Sequence, residues 1–195
     1  MDDIQHVKEY FNARADQWDQ MCHHDPKKLS ALVTLAGVCP GQQILDIACG
    51  TGALFDTLLS KQPARLVGVD VSDRMISIAR EKYPLPCVEL FAMDILDFTE
   101  TGFDTAFIYS AYPHFADKAS LARAVWKALR PGGRFMVAHS ESRATIDQRH
   151  HSPQVQRIST HLQPALQEAD VWRDLFQVDI LADTPDLYVI SGVKI

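Results

Sequence analysis

The sequence predicts an α/β fold, a doubly wound and mostly parallel sheet closed by an antiparallel hairpin, and three observations predict it. Apolar runs at Ile44–Ile47, Leu66–Val69, Leu90–Ile95, Phe103–Tyr109 and Leu129–Val137 alternate with helical stretches, the pattern of a parallel sheet covered on both faces. The first run passes through Ala48-Cys49-Gly50-Thr51-Gly52 into Ala53-Leu54-Phe55, a strand, a tight loop and a helix start. The last two runs, Phe176–Ala182 and Leu187–Lys194, are separated only by Asp183-Thr184-Pro185-Asp186, too few residues for a crossover helix, so they pair as a hairpin.

The elements follow in order. From Asp3 to Gln20, the apolar residues Ile4, Val7, Phe11 and Trp18 fall near one face of a single helix. A second helix has Asp25 as N-cap, Pro26 at its first position and Gly37 as its stop. We expect one domain, with residues 1–38 as a helical lid on a core of residues 39–195. A chain of 195 residues, 47% of them apolar, buries a full core without a staple.

Composition excludes several classes. The four cysteines, at 22, 39, 49 and 87, form no CxxC pair and no regular framework, and no basic-then-apolar leader opens the chain, so reduced thiols and a cytoplasmic location are expected. Each apolar run is interrupted well short of the roughly 20 residues that a membrane helix needs. A net charge of −6 argues against a grip on a phosphate backbone, which depends on clustered Lys and Arg.

The loop after the first strand carries the chemistry. Glycines at 50 and 52 remove Cβ atoms that would hold a ligand off the backbone, and the following helix offers unpaired N–H groups. The second strand ends in Asp70, eighteen residues past Gly52, where an acid can hold both hydroxyls of a ribose. A dinucleotide fingerprint needs a third glycine where Phe55 stands, and a triphosphate loop needs a Gly-Lys-Ser/Thr ending that is absent.

Asp46, Ala48, Gly50 and Gly52 match the acidic-x-G-x-G-x-G first motif of the class I S-adenosylmethionine-dependent methyltransferases, with alanine in place of the first glycine, and the chain resembles that family over residues 40 to 140. The resemblance implies a Rossmann-like sheet of seven strands in the order 3-2-1-4-5-7-6. It implies S-adenosylmethionine as cofactor, with S-adenosylhomocysteine as product, and a cofactor site of Asp46, Ala48, Cys49, Gly50, Gly52, Asp70, Val71, Met75, Asp94, Ile95 and Tyr109. In that family the acid at Asp70 takes the ribose, a bulky residue like Met75 packs on the adenine, and an acid like Asp94 meets its amino group. The fourth motif reads Ser110-Ala111-Tyr112-Pro113-His114-Phe115 and lacks the tandem proline of enzymes that methylate the exocyclic amines of bases. The expected acceptor is therefore a small molecule, as in the similar ubiquinone and menaquinone methyltransferases, methylated on O, S, N or activated carbon. A cofactor-binding sensor or partner subunit without turnover needs the same residues and stands as the second function class.

Acceptor residues are sought just after the strands, because ligands of open parallel sheets bind outside the carboxyl ends. The acceptor pocket is expected between the N-terminal helices, the loop from Tyr109 to Asp117 and the segment from His139 to Gln163. His114 and His139 follow the fourth and fifth strands and are expected to bind or deprotonate the acceptor. In relatives an aromatic residue on a mobile N-terminal helix can face the sulfonium, and the resemblance implies that role for Tyr10. His23, His24, His150 and His151 lie in segments that approach the same rim, and Arg143 is a candidate for an acceptor carboxylate or phosphate. Cys22-His23-His24 has metal-binding residue types without metal-binding spacing, so no metal is assigned.

Overall fold

The computed structural model describes residues 3–195. Its strands are β1 (Gln43–Ile47), β2 (Arg65–Asp70), β3 (Val88–Ala92), β4 (Phe103–Tyr109), β5 (Leu129–His139), β6 (Phe176–Asp183) and β7 (Tyr188–Lys194). They form one sheet in the order β3-β2-β1-β4-β5-β7-β6, as the resemblance implies. β1 to β5 pair in parallel, and β7 runs antiparallel to both β5 and β6, so that Ala138 faces Val189 and His139 faces Tyr188.

The helices are α1 (Asp3–Asn12), α2 (Trp18–Met21), α3 (Pro26–Leu35), α4 (Phe55–Leu59), α5 (Asp73–Lys82), α6 (Lys118–Ala128), α7 (Arg143–Arg149), α8 (Pro153–Gln156), α9 (Ala165–Glu168) and α10 (Asp170–Arg173). Alternation along each strand sends successive side chains to opposite faces. Leu45 and Ile47 join Val67, Ile108, Val125 and Trp172 on one face, where the Trp172 ring stacks on Phe135 with centroids 4.1 Å apart. Ile44 joins Leu32, Phe55, Leu66, Ile76 and Phe107 on the other.

Three local readings are corrected. The first helix does not run to Gln20. It stops at Asn12, whose Oδ1 accepts from the Ser72 hydroxyl (2.6 Å) and the Arg74 amide (3.1 Å), and a short 3-10 turn at Ala15–Gln17 leads into α2. The bend brings Phe11 and Trp18 edge to face at 5.3 Å, so the apolar spacing that suggests one long helix is satisfied across a corner. The turn after β1 also extends to Leu54, and α4 begins at Phe55. β3 ends at Ala92, and Ile95 lies in a 3-10 turn (Ile95–Asp97) capped by the Asp94 carboxylate, which accepts from the Leu96 amide at 2.9 Å. The second helix starts as expected, with the Asp25 carboxylate accepting from the Lys27 amide at 2.8 Å.

Candidate functional site

Between β1 and α4 the chain turns back on itself through left-handed backbone at Ala48 (φ 54°), Gly50 (φ 55°) and Gly52 (φ 91°). This conformation costs a side-chain-bearing residue roughly 1–2 kcal/mol. The alanine at 48 therefore differs from glycine in backbone strain more than in size. The two glycines do different work. A Cβ on Gly50 would meet only the Trp18 indole nitrogen, at 3.9 Å, whereas one on Gly52 would stand 2.7 Å from the Tyr83 ring and 3.1 Å from Phe55. Gly50 leaves bare backbone on its outer side; Gly52 is required by packing within the protein.

Asp46 and Asp70 flank this loop at the carboxyl ends of β1 and β2, and both are buried. The Asp70 carboxylate accepts from the Gly50 amide (2.9 Å) and from the Ser72 amide (2.8 Å), tying the two loops together. Burial nevertheless keeps the Asp70 carboxyl above the usual range, and burial followed by the nearby Asp70 charge pushes Asp46 well above it. Two acids that resist joint ionisation suit a ligand that brings positive charge and hydrogen-bond donors. Burial also pushes the Cys49 thiol well up, which makes it a small apolar filler rather than a nucleophile.

Of the remaining expected cofactor residues, Met75 and Ile95 are buried, Asp94 caps its own turn, and Val71 is partly buried beside Asp70. Tyr109 ends β4, and its hydroxyl lies 2.8 Å from both the His24 Nδ1 and the Ser140 hydroxyl. Burial raises its pKa to about 12, so it stays protonated.

The N-terminal segment is strapped over this edge by polar contacts. Lys8 pairs with Asp73 (2.6 Å), Asp16 with Arg74 (2.6 Å), and Asp19 with Lys82 (2.8 Å) and the Thr51 hydroxyl. Tyr10 is partly buried on α1. Its ring is covered by the Arg14 guanidinium at 3.7 Å and lines a groove of about 360 Å³ between α1 and α8, with Arg157 and Ile158. The aromatic residue over the glycine loop is Trp18, read from sequence as a packing residue.

The histidines divide into groups. His114, in a 3-10 turn (Tyr112–His114), has Nδ1 3.0 Å from the Ile158 carbonyl, and its ring meets His150 at 5.2 Å and Phe11 at 5.0 Å. His139 is buried at the end of β5, near enough to His114 and His150 for their charges to oppose its protonation. Burial pushes His114 down to about 4 and His139 to about 3, so both are neutral imidazoles. His150 is the member of this group that sequence reading named only as a rim residue; its place at the C-terminal cap of α7 was not legible without the path of the chain after β5. His24 instead joins Tyr109, while His23 and His151 are exposed. Arg143 is engaged with Asp183 at 3.2 Å, which removes it as a free anion receptor. Among the described residues, no group of three His, Cys, Asp or Glu side chains could hold a metal ion. No helix among them is long and apolar enough to cross a membrane.

Residues 44–133 match the family model described as a methyltransferase domain. The chain is similar to an O-methyltransferase of Penicillium expansum, 29% identical over 143 residues that cover 70% of this chain and 51% of that protein. It is also similar to the 2-methyl-6-phytyl-1,4-hydroquinone methyltransferase of Synechocystis, 31% identical over 102 residues that cover 51% of this chain and 32% of that protein. The chain thus spans about half and about a third of the length of these curated relatives. Its fold is that of the magnesium protoporphyrin IX methyltransferase of Synechocystis, solved with bound S-adenosylmethionine: TM-score 0.75, 15% identity, covering 100% of this chain and 98% of that one. Strand order, glycine loop and family-model match agree: residues 44–133 match a methyltransferase domain, and the chain has the fold of the class I S-adenosylmethionine-dependent methyltransferases.

Proposed function

We propose that this domain transfers a methyl group from S-adenosylmethionine to a small-molecule acceptor. The observation that carries the reading is the left-handed loop at 48–52, set between the buried carboxyls of Asp46 and Asp70 where the strand order reverses beside β1. The cofactor supplies a sulfonium, whose methyl leaves a neutral thioether behind. Asp46 and Asp70 offer negative charge to such a cation, and each Asp70 oxygen keeps a second lone pair for a ribose hydroxyl. Gly50, with Ala48 and Cys49, lets the methionine end approach main chain, Tyr109 bounds it from β4, and Val71, Met75, Asp94 and Ile95 bound the adenine.

Residues 1–38 are assigned as a lid, of which residues 1 and 2 lie outside the described residues, and residues 39–195 as the core. The ion pairs from Lys8, Asp16 and Asp19 hold the lid against α5, and Trp18 shields the loop from water. In-line displacement depends on position and desolvation more than on a strong catalytic group, which fits a site closed by a lid. Neutral His114 and His139 are assigned as the groups that take the acceptor proton, with Tyr10 in the groove that also holds Ile158, whose carbonyl accepts from His114. The activities for which these relatives are named, on an unspecified oxygen and on a hydroquinone, support a small organic acceptor.

Calorimetric titration with S-adenosylmethionine, followed by labelled methyl transfer to a metabolite extract, tests the reading. Saturable binding and S-adenosylhomocysteine formation above the protein-free rate are expected. Binding with turnover only at the protein-free rate would instead favour a sensor or partner subunit.

A further inference from the structure

The Nε2 of His139 is the one buried side-chain nitrogen or oxygen among the described residues that lacks a hydrogen-bond partner. Leaving such an atom unpaired costs roughly 1–3 kcal/mol, so its retention points to a partner that arrives from outside the chain. Two further imidazoles, His114 and His150, lie near enough for their charges to oppose its protonation, and their tautomers are set by the backbone. A carbonyl oxygen only accepts, so His114 Nδ1 donates to Ile158 and His150 Nδ1 donates to Ile146 at 2.7 Å. In each neutral ring Nε2 is therefore left as a bare lone pair.

We propose that His114, His139 and His150 together form the acceptor seat, and that this seat selects a neutral aromatic hydroxyl, a phenol or hydroquinone, over a carboxylate or phosphate of similar size. The proposal rests on the methyltransferase reading above and narrows its acceptor class. Lone pairs at His114 and His150 receive O–H donors and repel an anion, and the orphaned His139 nitrogen gains the partner that it lacks. The rings around the seat suit an aromatic body: Phe11 meets His114 edge-on at 5.0 Å, and Tyr188 meets His139 at 6.1 Å. Arg149 is paired with Glu141 and Arg143 with Asp183, so these two guanidiniums do not offset the charge of an anionic acceptor. The three rings arrive from separate segments, after β4, at the end of β5 and at the end of α7, and the seat exists only where these meet.

The test is a titration of ¹⁵N-histidine-labelled protein with phenol and, in parallel, with benzoate, in the presence and absence of S-adenosylhomocysteine. Phenol is expected to shift the Nε2 resonances of all three rings and benzoate to shift none. Equal shifts with benzoate, or a phenol response that leaves His139 and His150 unmoved, would overturn the seat. His139→Phe removes the orphaned atom and is expected to keep or raise the unfolding midpoint, retain S-adenosylhomocysteine affinity and bind phenol at least about tenfold more weakly. His150→Gln provides the same affinity comparison should that variant not fold. Failure of S-adenosylhomocysteine to bind would sink the methyltransferase reading alone, because the cofactor-free phenol titration still decides the seat.

Discussion

The indole nitrogen of Trp18 stands 3.9 Å from the point that a Cβ on Gly50 would occupy, so the N-terminal segment caps the one loop glycine whose outer side is open. Gly50→Ala places a methyl group in ordinary contact with that ring and is expected to cost only the left-handed backbone penalty, about 1 kcal/mol, in stability. Gly50→Val adds branches between the ring and the main chain, and S-adenosylmethionine affinity should fall by more than about tenfold beyond the alanine variant. Calorimetric titration of both folded variants checks this. Equal affinity in the two would remove Gly50 from the cofactor path.

Ala48 carries a left-handed φ of 54° with a Cβ attached. Ala48→Gly should therefore raise stability by about 0.5–1 kcal/mol, the relief of strain exceeding the added freedom of the unfolded chain. Urea unfolding is the measurement, with a higher midpoint and an unchanged slope expected. A lower midpoint would mean that the alanine methyl group contributes packing worth more than its strain.

Asp70 has two duties, and the Asp70→Ala variant separates them poorly. Its oxygens receive the Gly50 and Ser72 amides, so removal strips two backbone donors of their acceptor as well as the proposed ribose contact. Asp70→Ala should lose roughly 1–3 kcal/mol of stability along with cofactor affinity. Asp70→Asn keeps one acceptor and should retain more of the fold while still binding S-adenosylmethionine weakly. Paired denaturation and calorimetry report the two effects; unchanged affinity in a folded Asn variant would confine Asp70 to loop tying.

Acid sensitivity follows from the buried imidazoles. Folded values of about 4 for His114 and about 3 for His139 lie below the roughly 6.5 of an unfolded histidine, so the unfolded chain takes up protons first as the pH falls. Their contribution is complete above about pH 6.5 and is lost progressively toward the folded values, on the order of 3 kcal/mol for His114 alone. The raised carboxyls of Asp46 and Asp70 act with the opposite sign, weakening the fold as the pH rises through their folded values. Urea midpoints followed from about pH 7 down to about 4.5 should fall, and His114→Phe should flatten the decline. A profile that does not change in that variant would place the acid-sensitive group elsewhere.

The sequence by itself determined the sheet. Apolar runs alternating with helical stretches, a glycine loop after the first of them and a four-residue gap before the last are local signals, and together they specify α/β alternation and a terminal hairpin; the strand order came from the family resemblance and agrees with the structure. The placement of Asp46 and Asp70 at strand ends was legible for the same reason, since a strand carries its last residue to a known edge. What only the tertiary structure decided were relationships between distant segments. The corner at Asn12 is created by its bonds to Ser72 and Arg74 and puts Trp18 over Gly50, while the ring of Tyr10 is covered by Arg14. Likewise, the meeting of His114, His139 and His150 depends on how the chain after β5 folds back to the β4 loop, and no spacing along the sequence encodes it. Periodicity reports which side of an element is buried; it carries no record of which remote side chain fills the space opposite.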